Sequence, residues 1–195
     1  LLMEDAGLTF RATKDLDIVL CVEALDSAFV KLFWEFIRKG GYEIKEKSNG
    51  SRCFYRFTRP TDTSFPAMLE LFSRKPDILQ ISEEAIIMPI PIGEDIASLS
   101  AILLDDDYYS FLHKEKIIVS GFPVVAVPCL ISLKAHAWLD LSTRKANGEQ
   151  IDSHVVNKHK NDVFRLFQIL DPTQRFVNPD GVKADMRRFL TVSYT

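Results

Sequence analysis

Arg11-Ala12-Thr13-Lys14-Asp15-Leu16-Asp17-Ile18-Val19-Leu20-Cys21-Val22 joins a polar entry to an unbroken apolar run. A run of Leu, Ile, Val and Cys from Leu16 to Val22 predicts a central strand covered on both faces. Alternation along a strand puts Thr13, Asp15 and Asp17 on one side, the two carboxylates roughly 6.5–7 Å apart. Carboxylates so spaced can share hard divalent ions, and two such ions ~3.5–4 Å apart form the clamp used in phosphoryl-type displacement. The alternative is a solvated polar strand entry, since Asp-x-Asp is a common spelling.

Outward from this strand, Asp26-Ser27 can cap a helix through about Lys39, with Phe29, Phe33, Phe36 and Ile37 on one stripe and Gly40-Gly41 as its stop. Tyr42 to Lys47 and Cys53 to Phe57 predict a hairpin around Ser48-Asn49-Gly50. Ala67 to Phe72 predicts a further strand. Within it, Met68-Leu69-Glu70-Leu71-Phe72 places a lone carboxylate among apolar neighbours, which is expensive unless it is paired, protonated or metal-bound. Glu70 is therefore a candidate third acid beside Asp15 and Asp17; otherwise it faces water or pairs with Arg56 or Arg74. Pro89 and Pro91 make Ile86 to Ile92 an edge or irregular segment. Asp105-Asp106-Asp107 reads as the N-terminus of a short helix ending near Lys114, and Ile117 to Val119 with Val124 to Val127 as a strand pair.

Pro128 opens a change of texture. Leu130, Leu133, Ala137, Trp138 and Leu141 fall at helical spacing up to about Arg144. A second helix is expected from about Ile151 to Leu170, with Val155, Val163, Leu166 and Phe167 apolar, and a last one from Pro179 to Leu190. The predicted domains are thus 1–127, α+β, and 128–195, helical. Lys134, on the first tail helix, can hold a triphosphate as a point charge or simply snorkel to solvent. Lys158-His159-Lys160-Asn161-Asp162 is either a solvated face or a wall of a nucleotide cleft. His113, His136 and His154 show no ligand spacing and read as structural or exposed.

In 195 residues, 47% hydrophobic and 26% charged, this is the composition of a packed protein and excludes disorder. The net charge of -3 excludes a chain-wide basic field for nucleic acid. From Lys134 onward ten basic residues face seven acidic ones, against 14 and 20 before it, so the front is acidic and the tail mildly basic. Cys21, Cys53 and Cys129 offer neither a disulfide framework nor zinc spacing, which predicts a reducing, cytoplasmic setting. The longest apolar stretch, Gly121 to Leu133, is broken by Pro123 and Pro128 and is too short to cross a bilayer, so no membrane partner is expected.

Taken in order, these pieces resemble the nucleotidyltransferase superfamily, with the DNA polymerase beta-like fold, and within it the AbiEii/AbiGii toxin type. Arg11-Ala12-Thr13-Lys14-Asp15-Leu16-Asp17 is similar to that group's arginine-x-threonine-x-aspartate-x-aspartate strand. Leu133-Lys134-Ala135-His136-Ala137 with Arg144 is similar to its lysine-bearing helix. Lys160-Asn161-Asp162-Val163-Phe164-Arg165-Leu166 is similar to its later arginine-aspartate-x-x-aspartate-leucine helix. The resemblance spans Arg11 to Leu170. It implies an α+β fold, a nucleotidyltransferase-like mixed sheet with flanking helices, followed by a C-terminal helical bundle.

Carried over by position, the resemblance implies Asp15 and Asp17 as ligands of catalytic Mg²⁺ in a two-metal site, with Glu70 as third ligand or general base. Thr13, Lys134 and Asp162 would bind the nucleotide. The implied reaction moves a nucleotide from an NTP to a hydroxyl or phosphate of an RNA (tRNA-like) or protein acceptor, in a toxin paired with an antitoxin protein. The chain departs from the pattern in four places. No Gly-Gly or Gly-Ser turn precedes Thr13, the chain opening Leu1-Leu2-Met3, so that strand and turn are expected upstream. Glu70 stands where Asp is usual, Asn161 where Arg is usual, and Arg165 where a second Asp is usual. The alternative is a catalytically degenerate binding module on the same fold.

Overall fold

The computed structural model describes residue 7 and residues 15–20, 27–46, 52–74, 87–89 and 100–193. It is a mixed α+β structure of two compact units, the described residues from Asp15 to Asp106 forming one and those from Asp107 onward, with Gly7, the other. The division falls ahead of the 127/128 boundary expected from sequence texture, because short elements before Pro128 join the helical tail.

The first unit contains β1 (Asp15–Val19), α1 (Ser27–Gly40), β2 (Glu43–Glu46), β3 (Arg52–Thr58), β4 (Met68–Ser73), β5 (Ile87–Pro89) and β6 (Ser100–Leu103). The expected hairpin is present as antiparallel β2 and β3; its Ser48-Asn49-Gly50 turn lies outside the described residues. At the centre is β4. It pairs along one edge with parallel β1, from Asp15↔Met68 to Val19↔Phe72. On the other edge it pairs first with antiparallel β3, through Arg56↔Glu70, and then with parallel β6, through Phe72↔Ile102. Among the described residues β5 lies beyond β6 at the sheet's edge, the position where a strand tolerates a proline such as Pro89.

Period-2 alternation divides this sheet chemically. Tyr55, Phe57, Leu69, Leu71 and Leu20 are buried with Val30, Phe33 and Ile37 of α1. Phe33 and Trp34 meet the Phe57 ring edge-on, at 5.5 and 5.8 Å between centroids. Phe36 lies at the rim of that stripe, 4.9 Å from the Phe65 ring. The opposite face, away from α1, carries Asp15, Asp17, Arg56, Met68 and Glu70. Instead of a central strand covered on both faces, β1 is an edge strand among the described residues, exposed from Asp15 to Asp17 and pairing only with β4.

Gly41 ends α1 with φ +63°, its N–H donating to the Arg38 carbonyl while Tyr42 N–H donates to that of Ile37. This doubly bonded close requires a left-handed residue. A Cβ at Gly41 would also stand 2.1 Å from Thr61 Oγ1, so the turn admits only glycine without rearrangement.

The second unit holds α2 (Asp106–Lys114), the antiparallel pair β7 (Lys116–Val119) and β8 (Phe122–Val125), then α3 (Val127–Ala146), α4 (Ser153–Phe167) and α5 (Asp180–Val192). Ile131, Ala135 and Leu139 of α3 pack with Val163 and Leu166 of α4 and Phe189 of α5. The inward stripe of α3 therefore runs beside the predicted Leu130–Leu141 stripe, whose members sit at its flanks. On α4, Val163 and Leu166 of the expected stripe are buried, together with Val156, whereas Val155 and Phe167 are 43% and 65% exposed. Asp152 caps α4 by accepting the His154 N–H, and Asp107 caps α5 from α2 by accepting the Gly181 N–H. Among the described residues no helix is long and apolar enough to cross a membrane.

Candidate functional site

The site is built from strand pairing. Consecutive odd residues of β1 project to one side, so Asp15 and Asp17 share a face. Cross-strand partners also share a face, so the pairing Asp17↔Glu70 brings the third acid beside the second. The next strand extends the row through Glu70↔Arg56. Arg56, Glu70 and Asp17 thus form one transverse line across β3, β4 and β1, with strands ~4.8 Å apart.

Solvation differs sharply along that line. Asp15 and Asp17 are exposed, while the Glu70 side chain retains 13% of its accessible surface. Glu70 is held by Arg56, whose Nε donates to Oε1 and whose Nη2 forms an ion pair with the same oxygen. Of the alternatives open for Glu70 in the sequence, the pairing with Arg56 is the one present. A planar guanidinium suits this role because its donors are fixed in a fork and its charge is permanent. The two exposed aspartates are hard oxygen donors of the type Mg²⁺ takes in ones and twos, usually with substrate phosphates. They fit that ion; Glu70 joins them only where Arg56 yields. Among the described residues, no three Asp, Glu, His or Cys side chains converge closely enough to hold a metal ion.

The other candidates are Thr13, Lys134 and Asp162. Thr13 falls outside the described residues. Lys134 and Asp162 belong to the second unit, Lys134 half-buried on α3. The Asp162 side chain is 1% exposed within the helical packing, with Arg165 Nη1 at 4.0 Å one turn on. Helix periodicity turns that side of α4 inward with Val163 and Leu166. Lys160 is likewise engaged, donating to the Ser193 carbonyl at the end of α5 and lying 5.8 Å from the Trp138 ring centroid.

Sequence reading missed a polar cluster in the second unit. Asp185 Oδ2 accepts from Tyr108 Oη at 2.9 Å and from His136 Nδ1 at 2.7 Å, tying α2, α3 and α5 together. Tyr108 is buried and stacks obliquely on His136, 4.9 Å between centroids, while half of the imidazole faces solvent. Three residues so far apart in sequence carry no spacing signal; only the buried tyrosine hydroxyl, which needs a partner, hints at it. Cys129 is not a reactive thiol. Burial, with Glu115 adding to it, pushes its pKa up to about 12. A cavity of about 230 Å³ lined by Ser110, Phe111, Lys114, Val177, Asn178 and Pro179 shares no residue with the acid face.

No protein-family model, curated protein or solved structure matches the chain.

Proposed function

We propose that the chain is a metal-dependent nucleotidyltransferase of the toxin type, moving a nucleotide from an NTP to a hydroxyl or phosphate of an RNA or protein acceptor. The observation that carries this reading is the β1–β4 register, which sets Asp15, Asp17 and Glu70 on one sheet face. Two features together support it: the resemblance of Arg11 to Asp17 to the acidic strand of that superfamily, and the pairing of a third acid opposite the second.

In the proposed reaction the acceptor oxygen attacks the α-phosphorus, a new P–O bond forms, the α–β bridging P–O bond breaks and pyrophosphate leaves. Mg²⁺, when bound, supplies charge neutralisation at the transferring phosphoryl group. Asp15 and Asp17 would hold that ion from a hydrogen-bonded ladder, which fixes the course of their backbone without a flexible loop. Glu70 takes the proton lost by the acceptor hydroxyl or completes the ligand set. Such catalysis is mainly positioning and electrostatics, so these few residues suffice for the chemistry.

The test is transfer from labelled NTPs to total RNA and protein in Mg²⁺, with Asp15→Asn and Asp17→Asn as controls. Labelling that both variants lose supports the reading, and equal labelling by wild type and variants overturns it. The Arg56–Glu70 pair favours a second reading, a binding module in which Glu70 is already neutralised by Arg56. That module would ignore the aspartate changes and lose its partner on replacement of Lys158, Arg187 or Arg188.

A further inference from the structure

We propose that the cavity between α2 and the segment leading into α5 is a binding site for a small N-acyl amino acid, a ligand offering one carboxylate, one amide N–H and one apolar side chain. This site stands apart from the transfer reaction, since the cavity and the acid face share no residue. Asn178 is what points to a ligand. It lines the cavity, and its side-chain carbonyl oxygen Oδ1 is buried without a hydrogen-bond partner. A buried acceptor left unpaired is expensive, and an N–H brought by a ligand removes that cost.

The rest of the lining sets the remaining chemistry. Ser110 and Lys114 lie four residues apart on α2 and so share one side of the helix, which puts a hydroxyl and an ammonium on the same wall. Glu115 Oε1 lies 3.7 Å from Lys114 Nζ, in a pair that leaves the lysine side chain 66% exposed. One positive charge, partly offset in this way, suits a monoanionic carboxylate better than a doubly charged phosphate. Phe111, Val177 and Pro179 supply the apolar contact; Phe111 is buried and Val177 exposed, so the cavity runs from a closed floor to an open lip. Its volume of about 230 Å³ falls below the ~300–1,000 Å³ of sites for drug-sized ligands and fits a single residue. The two walls are tied to each other, Asp107 Oδ2 accepting the Gly181 N–H at 2.8 Å and Asp185 Oδ2 the Tyr108 hydroxyl at 2.9 Å. Walls fixed in advance spare the ligand the cost of ordering them.

The experiment titrates the full 195-residue chain with N-acetyl-leucine and follows its isotope-labelled amides by NMR. Saturable binding is expected, shifting the Asn178 side-chain amide and the backbone amides from Ser110 to Lys114. Two analogues each remove one contact: N-acetyl-leucinamide lacks the carboxylate, and the acetate ester of the corresponding 2-hydroxy acid lacks the N–H. Each should bind at least about tenfold more weakly. Lys114→Met should erase the preference for N-acetyl-leucine over its carboxamide, and Asn178→Leu the preference over the ester. Where a variant fails to fold, the analogue series on wild type decides by itself. Equal binding of all three compounds, shifts confined to other surfaces, or no saturable binding, with water alone satisfying Asn178, overturns the proposal. Acetyl-Gly-Gly-Leu separates the two sources of this chemistry: binding tighter than that of N-acetyl-leucine supports the site as one for a polypeptide C-terminus, and equal or weaker binding supports it as one for a free small molecule.

Discussion

Asp17 of β1 and Glu70 of β4 stand directly opposite one another in a parallel pairing, on the sheet face that α1 leaves uncovered. One is exposed and the other is mostly buried against Arg56. Their chemistry therefore separates: Asp17 is available to a ligand, whereas Glu70 is bound up with the integrity of the sheet.

Asp15→Asn and Asp17→Asn should leave the fold untouched, because exposed substitutions away from packed or bonded groups shift stability by about 0.5 kcal/mol or less. Nucleotide transfer should fall by about a hundredfold or more with either change. Thermal melting beside an NTP-labelling assay separates the two effects.

Glu70→Gln and Arg56→Met should each destabilise the chain by about 1–3 kcal/mol, since each strands a partly buried charge. The double replacement should recover part of that loss, giving a coupling of about 0.5–3 kcal/mol in a double-mutant cycle read by urea unfolding. Additive losses would show that the pair contributes nothing as a pair.

Leu71 is wholly buried between β4's neighbours and α1. Leu71→Ala should cost about 2–5 kcal/mol through lost burial and the cavity left behind. Denaturant melts of Leu71→Ala beside Leu32→Ala, whose leucine is 65% exposed, check the contrast.

In the second unit, Asp185→Ala removes the acceptor shared by Tyr108 and His136 and leaves a phenol hydroxyl buried without its bond. A loss of about 1–3 kcal/mol is expected, against about 0.5–1.5 kcal/mol for Tyr108→Phe, which removes the donor cleanly. Unfolding curves that rank the two the other way would contradict this account of the cluster.

Cys129 gives a pH signature. Its pKa, raised to about 12 in the fold, exceeds the ~8.5 of an unfolded cysteine. Above that lower value the unfolded chain has released a proton that the folded chain keeps. The stability contributed by the thiol is thus present below about pH 8.5 and declines as pH climbs toward 12. In native protein at pH 8, peptide mass spectrometry should find Cys129 unalkylated by iodoacetamide, and fully alkylated after denaturation.

Where the pattern was local and strong, the sequence was legible. The α1 stripe, its Gly40-Gly41 stop, the strand around Glu70 and the helical tail all follow from periodicity and turn chemistry. What failed was what depends on neighbours. Leu16 to Val22 is apolar enough for a central strand, yet the described residues pair β1 with β4 alone. Ser100 to Leu103 was not anticipated as a strand because four residues carry too little pattern. On α4, Val155 and Val156 are equally apolar, and packing against α3 decides which turns inward. The acid pair was visible through its spacing, whereas the choice of Arg56 over Arg74 as Glu70's partner is a matter of register, which no single strand encodes.

Parallel pairing of β1 with β4 joins residues fifty-three positions apart at Asp17 and Glu70. A chain leaving the ribosome exposes Asp15 and Asp17 long before their strand has anything to lie against. Closing so long a loop is slow beside the local α1 turn and the β2–β3 hairpin. A nascent chain therefore has its acidic motif without the third carboxylate until β4 has been made and docked, and the complete acid face is a late product of folding.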